Sequence, residues 1–284
     1  MTNIFISGAD GFIGSHIKSY LLDNYTLFTP SITELDLLNK QEVANYFDKN
    51  KIDFIIHCAA MGVRITPGAT NDDVARPNIE MFNNLAEHTS DSCKMIILGS
   101  GAEYDKSTNI TNVKEEDFGK SVPKDPYGYS KYVISKMITN SKNILNLRLF
   151  GVYGIGENPT RVTSCIINSI INKKNIELNQ NVKFSFIYID DLCKIVEYFI
   201  KNFPKYKFIN VTQTDDITIK RLAEIANEVN NSNFSILFKQ DGMNNEYTAD
   251  NTLLKSIINE FNFTPYHDGI KNMLKERSND FSKK

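Results

Sequence analysis

Hydrophobic and polar positions follow two alternating rhythms along the first 150 residues. Residues 3–7 form a short apolar run with β-branched side chains that stops at Gly8, which predicts a strand. Residues 12–23 then carry Phe12, Ile13, His16, Ile17, Tyr20 and Leu21 at helical spacing. Further strands are predicted over 25–28, 52–56, 94–98 and 144–150, and helices over 40–50, 78–88 and 125–137. The stretch 52–56 is apolar at Ile52, Phe54, Ile55 and Ile56, as a strand covered on both faces requires. Strand–helix alternation of this kind implies a parallel sheet with helices on both faces.

After Phe150 the rhythm becomes irregular. Helices are expected over 162–172, 190–201, 217–230, 251–260 and 268–275, and short strands over 184–188, 207–211 and 234–238. The chain therefore reads as α/β: a Rossmann-type doubly wound parallel sheet over 1–154, then a smaller mixed region over 155–284. The boundary falls near Tyr153–Gly156, and some later segments are expected to return to the first sheet.

Composition narrows the classes. The chain has 284 residues, with 32 Lys plus Arg against 34 Asp plus Glu, a formal net charge of −2. That balance argues against gripping nucleic acid by bulk charge. No stretch approaches the roughly 18 consecutive apolar residues of a membrane helix, and no signal peptide is evident at the N-terminus. Cys58, Cys93, Cys165 and Cys193 are scattered, without metal-binding spacing. They read as reduced core thiols in a cytoplasmic protein that carries no metal.

The chemistry begins at Gly8-Ala9-Asp10-Gly11-Phe12-Ile13-Gly14, between the first strand and the first helix. The first glycine permits a tight turn, the second a close approach of a pyrophosphate, and the third close packing of helix on strand. The helix N-terminus adds free N–H groups and partial positive charge. Gly8, Gly11, Phe12, Ile13 and Gly14 are thus candidates for binding a dinucleotide. In its GxxGxxG spacing this loop resembles that of the short-chain dehydrogenase/reductase superfamily. An NAD-binding chain usually places a carboxylate at the end of the second strand, on the ribose 2′-hydroxyl. Here Thr29, Pro30 and Ser31 stand there, with no carboxylate before Glu34, which favours NADP(H) over NAD(H).

Asp125-Pro126-Tyr127-Gly128-Tyr129-Ser130-Lys131 contains a tyrosine and a lysine at i and i+4, on one helix face. That geometry suits a phenol acting as general acid beside an ammonium that favours the phenolate and reaches a cofactor ribose. A second such pair, Tyr132 and Lys136, starts five residues later and so points roughly 140° away. Asp125 and Pro126 make a good helix start, which puts Tyr127 in the first turn, nearest the ligand-binding edge of the sheet. Ser100, beyond the strand at 94–98, offers a hydroxyl at the same edge.

With these motifs the chain resembles an extended short-chain dehydrogenase/reductase, the NAD-dependent epimerase/dehydratase family that works on nucleotide sugars. The resemblance runs nearly end to end. It includes Leu35-Asp36-Leu37, His57-Cys58-Ala59-Ala60, Ser100 four before Tyr104, Leu147–Gly154, Phe186–Asp191 and a tail from Asp250 through Phe263-Thr264-Pro265 to Gly269-Ile270. It implies that Gly8, Gly11 and Gly14 hold the pyrophosphate, Asp36 and Leu37 the adenine, and Ala59 and Ala60 the ribose. It implies a catalytic triad of Ser100, Tyr127 and Lys131, and a nucleotide-sugar site in the second region.

Departures from the family narrow the activity. Its 4,6-dehydratases carry Thr-Asp-Glu where this chain has Ser100-Gly101-Ala102. Its fucose-synthase-like members carry Cys at the position of Ala102, and a His where this chain has a residue near Ser164. An Arg-Asp pair common before the Phe-Ile-Tyr run is Phe184-Ser185 here, which leaves Arg161, Lys183 or Arg221 to meet a diphosphate, with Arg161 favoured. The resemblance thus implies NADPH-dependent reduction of the 4-keto group of a nucleoside-diphosphate-linked 4-keto-6-deoxyhexose, for surface polysaccharide sugars. The alternatives are an NAD-dependent 4-epimerase and a non-catalytic NADP-binding sensor. A homodimer is expected, through the helix bearing Tyr132, Val133 and Met137 and the helix bearing Met81, Phe82 and Leu85.

Overall fold

A computed structural model describes residues 1–62 and 70–281. The first half runs β1 (Asn3–Ser7), α1 (Phe12–Leu21), β2 (Thr26–Phe28), α2 (Lys40–Lys49), β3 (Phe54–His57), α3 (Arg76–Ala86), β4 (Lys94–Ser100), β5 (Ile110–Val113), α4 (Pro126–Ile138) and β6 (Ile144–Leu149). The second half runs β7 (Gly151–Tyr153), α5 (Val162–Ile171), β8 (Ile176–Leu178), β9 (Lys183–Phe184), β10 (Phe186–Tyr188), α6 (Ile189–Lys201), β11 (Phe208–Val211), β12 (Ile217–Thr218), α7 (Ile219–Val229), β13 (Ile236–Phe238), β14 (Tyr247–Ala249), α8 (Thr252–Ile257) and α9 (Tyr266–Phe281).

The chain divides into two compact units. The first comprises Met1–Ser107, Lys114–Leu149 and Cys193–Val211, and the second Thr108–Val113, Phe150–Leu192 and Thr212–Lys284. The first unit holds a six-stranded sheet in the order β11-β6-β4-β3-β1-β2, every neighbouring pair parallel. β11, predicted as a strand over 207–211, comes back from the second half of the chain to pair with β6. β2 and β3 flank β1 on opposite sides, so the strand order reverses between β1 and β3. A reversal of that kind opens a crevice at the carboxyl ends of the two strands, where ligands of such sheets bind.

Both faces of this sheet are covered. Phe5, Ile55, Met95 and Ile97 share one core with Val43 of α2, Met81, Phe82 and Leu85 of α3, and Ile134 and Ile138 of α4. The alternate residues Ile4, Ile6, Ile56 and Ile96 point the other way and are fully buried as well. The apolar face of α3, expected to pair between subunits, is therefore spent inside this core. The ring of Tyr132 lies 5.0 Å from that of Phe118. The exposed residues of α4 are Tyr129, Lys136 and Met137, with Tyr129 and Met137 at 36% and 43% exposure and half-buried Val133 between those two.

The second unit is built from short pieces. β12, β9, β14 and β5 form one sheet, β10 pairs with β7, and β13 with β8. The predicted strand 184–188 is in fact β9 and β10, separated by Ser185. The Ser185 hydroxyl donates to Asp216 and accepts from the Ala249 N–H, so the chain turns from one sheet to the next there. A helix predicted over 251–260 is only α8, and one predicted over 268–275 extends to both sides as α9. Tyr153, Phe186, Tyr188 and Tyr266 pack ring against ring, with centroids 5.3–6.0 Å from Tyr153. A Cβ on Gly269 would stand 2.4 Å from the Tyr153 hydroxyl, which is why α9 carries glycine there. Buried Asp191 accepts from the N–H and hydroxyl of Thr264 at 2.6 and 3.0 Å. The Phe186–Asp191 and Phe263–Pro265 motifs thus fasten this unit together.

Candidate functional site

The turn after β1 is built by exclusion of side chains. Gly8 has φ +64°, and a Cβ on it would come within 2.8 Å of the Ala59 backbone nitrogen. A Cβ on Gly14 would stand 2.1 Å from the Gly8 carbonyl oxygen. Gly11 is exposed on the open side and caps α1 without a side-chain hydrogen bond, and the first turn of α1 carries no acidic residue. The helix N-terminus is thus left for an external anion. Phe12 and Ile13 are half-buried, Phe12 with its ring 5.6 Å from that of His16.

The facing turn after β3 is held by His57 together with Ser7 and Asn78, two residues the sequence did not single out. Ser7 Oγ accepts from the N–H groups of Cys58 and Ala59, both at 3.2 Å. That leaves its proton for His57 Nδ1, 2.7 Å away. Burial, and after it the charge of Lys131, push the His57 imidazole down to about 3, so the ring is neutral. Asn78 of α3 clamps the next step: its Oδ1 accepts from Met61 N–H at 2.7 Å, and its Nδ2 donates to the Met61 carbonyl and to Ser130 Oγ. Ala59 is half-buried and Ala60 exposed beside this clamp.

Asp36 and Leu37 lie in the loop between β2 and α2. Asp36 Oδ1 accepts from the Leu38 N–H at 2.9 Å. Leu37 turns its side chain into the core, and its carbonyl accepts from Asn84 at 2.8 Å. Glu34 is drawn back onto Ser31, whose N–H and hydroxyl both donate to it at 2.8 and 2.9 Å.

β4 runs two residues further than its pattern predicts, and Ser100 ends it. Ser100 Oγ accepts from the Ala102 N–H at 3.1 Å, which leaves its own proton free to donate. α4 starts with Asp125, which accepts from the Gly128 N–H at 3.0 Å. A Cβ on Gly128 would meet the Ala102 carbonyl at 2.9 Å, so glycine lets the first turn of α4 lie against the turn after Ser100. Tyr127 is half-buried and Lys131 almost wholly buried, with Lys131 Nζ 5.8 Å from the centre of the Tyr127 ring. Lys131 Nζ donates to the Leu98 carbonyl at 2.8 Å and keeps two further N–H donors. Lys106 Nζ also lies near this ring, 6.0 Å from its centre. Ser100, Tyr127 and Lys131 thus lie in one structural unit, at or beside the carboxyl end of β4.

Arg161 lies in the second unit, at the start of α5, with half its side chain exposed and its Nε 4.0 Å from Glu157. Lys183 is engaged by Asp216 and Glu246, and Arg221 by Glu224 and Glu228. Arg161 is the least committed of the three cations. Glu157 is buried and accepts from Thr163 and Ser164. Burial nonetheless pushes its carboxyl up to about 7. Among the described residues no cluster of His, Cys, Asp and Glu is arranged to hold a metal, and no helix is long and apolar enough to cross a membrane.

Two outcomes follow from this packing. Gly14→Ala forces its Cβ onto a backbone oxygen and should lower stability by about 2 kcal/mol in urea unfolding, whereas an unchanged midpoint would contradict the close approach. Folded Glu157 keeps its proton up to about pH 7, while the unfolded chain releases it near 4.5, so the fold loses stability as pH rises between those values. Glu157→Gln should remove a loss on the order of 3 kcal/mol across that window, read as the difference between wild-type and variant melting curves at its two ends.

Comparison with known proteins agrees with this architecture. The chain is 26% identical over 313 residues to GDP-L-colitose synthase of Yersinia pseudotuberculosis, covering 98% of this chain and 99% of that one. Its fold matches a GDP-mannoheptose C4 reductase from Campylobacter jejuni with NADP bound, at a TM-score of 0.82 and 22% identity over 98% of each chain. It matches a UDP-glucose 4-epimerase from Thermotoga maritima equally well, at a TM-score of 0.82 and 16% identity, covering 99% of this chain and 100% of that one. The profile of the NAD dependent epimerase/dehydratase family fits residues 4–212, and the chain belongs to that family.

Proposed function

We propose that the chain reduces the 4-keto group of a nucleoside-diphosphate-linked 4-keto-6-deoxyhexose with NADPH, as a cytoplasmic homodimer serving surface polysaccharide synthesis. The observation that carries the reading is the Tyr127–Lys131 pair set beside a serine whose hydroxyl proton is free to donate. Gly101 and Ala102, where dehydratases of this family carry two acids, are small and buried. Ser164, near the position of the epimerisation histidine, is tied to Glu157.

The glycine cradle suits a dinucleotide, because its close backbone contacts leave the uncapped start of α1 facing outward for a pyrophosphate. Gly8, Gly11, Phe12, Ile13 and Gly14 would hold that group, Asp36 and Leu37 the adenine end, and Ala59, Ala60 and Lys131 the ribose. When bound, the cofactor supplies a hydride. Ser100 donates a hydrogen bond to the substrate carbonyl oxygen, and Tyr127 gives that oxygen its proton. The Lys131 ammonium, anchored on Leu98, stabilises the phenolate left behind and has donors to spare for ribose hydroxyls. Arg161 meets the substrate diphosphate. The choice of NADPH rests on the β2–α2 loop, where the Glu34 carboxylate is occupied by Ser31. Tyr129, Val133 and Met137, one stripe along α4, are the surface a second copy would cover.

The relatives named as C4 reductase and colitose synthase support this reading, and the likeness to a 4-epimerase keeps an NAD-dependent epimerase as the alternative. Purified protein offered GDP-, dTDP-, CDP- and UDP-linked 4-keto sugars should consume NADPH in step with product. Tightly retained NAD together with interconversion of 4-epimers, without net cofactor use, would establish the epimerase instead. Tyr127→Phe should lower turnover by roughly 10²–10⁴-fold while leaving NADPH affinity nearly unchanged. Light scattering of the same preparation reads the dimer.

A further inference from the structure

We infer that Glu103 is a positioning residue for the proposed reduction: its buried carboxylate ties the Ser100 turn to the helix that carries Tyr127 and Lys131. The inference rests on that reading of the site.

Glu103 has no exposed surface. Its Oε1 accepts from the Ser100 N–H at 3.0 Å, and its Oε2 accepts from the Ser135 hydroxyl at 2.5 Å. Ser135 lies four residues beyond Lys131, hence on the same face of α4. One carboxylate therefore joins the backbone of the substrate-binding serine to the helix face of the general acid's partner. A Cβ on Gly99 would stand 2.0 Å from Asn146 Oδ1 and 2.5 Å from Glu103 Oε1, so the residue before Ser100 is bare to make room for this cluster.

The carboxylate is itself held from the sheet. Arg148 Nε donates to Oε2 at 2.7 Å, and Asn146 Nδ2 lies 3.1 and 3.3 Å from the two oxygens. The Arg148 guanidinium is wholly buried, 4.6 and 4.5 Å from the centres of the Phe118 and Phe208 rings. Its Nη1 donates to the Tyr104 hydroxyl at 2.8 Å, which in turn donates to Asn210 at 2.7 Å. The cluster thus spans β4, β6, β11 and α4.

Stability is a poor explanation for such a cluster. Desolvating an ion pair costs about what the pairing returns, and well-packed apolar residues of similar volume often do as well or better. Ser100 can also cap its turn with its own hydroxyl, through Ala102. What an apolar replacement cannot provide is a rigid pair of acceptor oxygens, one for the Ser100 N–H and one for Ser135. A catalytic group displaced by about 1 Å loses on the order of 10²-fold in rate, which gives the tie its value.

The test uses full-length wild type, Glu103→Gln, Ser135→Ala and Tyr127→Phe, each assayed for kcat, KM, NADPH affinity by fluorescence and thermal unfolding. Glu103→Gln keeps an acceptor at the same reach but removes the charge that holds Arg148. Ser135→Ala removes the link between Glu103 and α4, together with the bond the Ser135 hydroxyl accepts from Asn146 Nδ2, and leaves the Glu103–Arg148 pair in place. Both should lower kcat by between about tenfold and 10²-fold, with KM and NADPH affinity changed less than about threefold. Where Glu103→Gln fails to fold, Ser135→Ala decides. If wild type turns over, Tyr127→Phe does not, and folded Ser135→Ala keeps kcat within about twofold of wild type, the cluster is structural only and the inference fails while the reading of the site stands. If wild type reduces none of the 4-keto sugars, the reading fails and the inference with it.

Discussion

A parallel sheet ends every strand at the same edge, and there the last backbone N–H groups lose their ladder partners. How those groups are satisfied governs the first unit. Ser7 collects the N–H groups of Cys58 and Ala59, Asn78 that of Met61, Glu103 that of Ser100 and Asp125 that of Gly128. Ser7 and Asn78 reach these groups from neighbouring elements, whereas Glu103 and Asp125 cap their own turns from three residues away. Buried polar groups are tolerable only when partnered. The edge is therefore rigid where it is most polar.

Absent side chains matter as much as polar ones. Gly8, Gly14, Gly99 and Gly128 all stand where a Cβ would meet backbone or buried side-chain atoms at 2.9 Å or closer. Two bring α1 onto β1 and the β1 turn onto the β3 turn. The other two bring α4 and the Asn146–Glu103 cluster against the end of β4. The second unit follows a different rule. Its sheets are small, and aromatic rings around Tyr153 together with the Asp191–Thr264 bond supply the order that a long parallel sheet supplies in the first.

The first half of the fold was legible because its period is its physics. Strands buried on both faces must be apolar throughout, and helices covering them must repeat about every 3.6 residues. β5, β7, β8 and β14 were missed because pieces of three or four residues have no period of their own; their partners decide them. The glycine turn and the Tyr127–Lys131 spacing could be read because each is local. Glu103 stands at the S-x-x-E spacing of a capping box from Ser100, so a local signal for it existed. Arg148, Asn146 and Ser135, which complete its shell, lie far from it in sequence and gave none. Met81, Phe82 and Leu85 looked like a subunit face, since an apolar helix stripe does not record what covers it.

The sequence by itself determined the class of fold, the order of strand and helix in the first half and the short motifs at its loops. These depend on interactions within about one turn of helix or one strand end, which residue spacing encodes directly. Tertiary structure alone decided that β11 returns to the first sheet, that Asp191 and Thr264 hold the second unit together, and that one buried carboxylate joins Ser100 to α4. Those contacts join residues between 32 and 73 positions apart. No periodicity spans such distances, and only the packed chain brings the partners together.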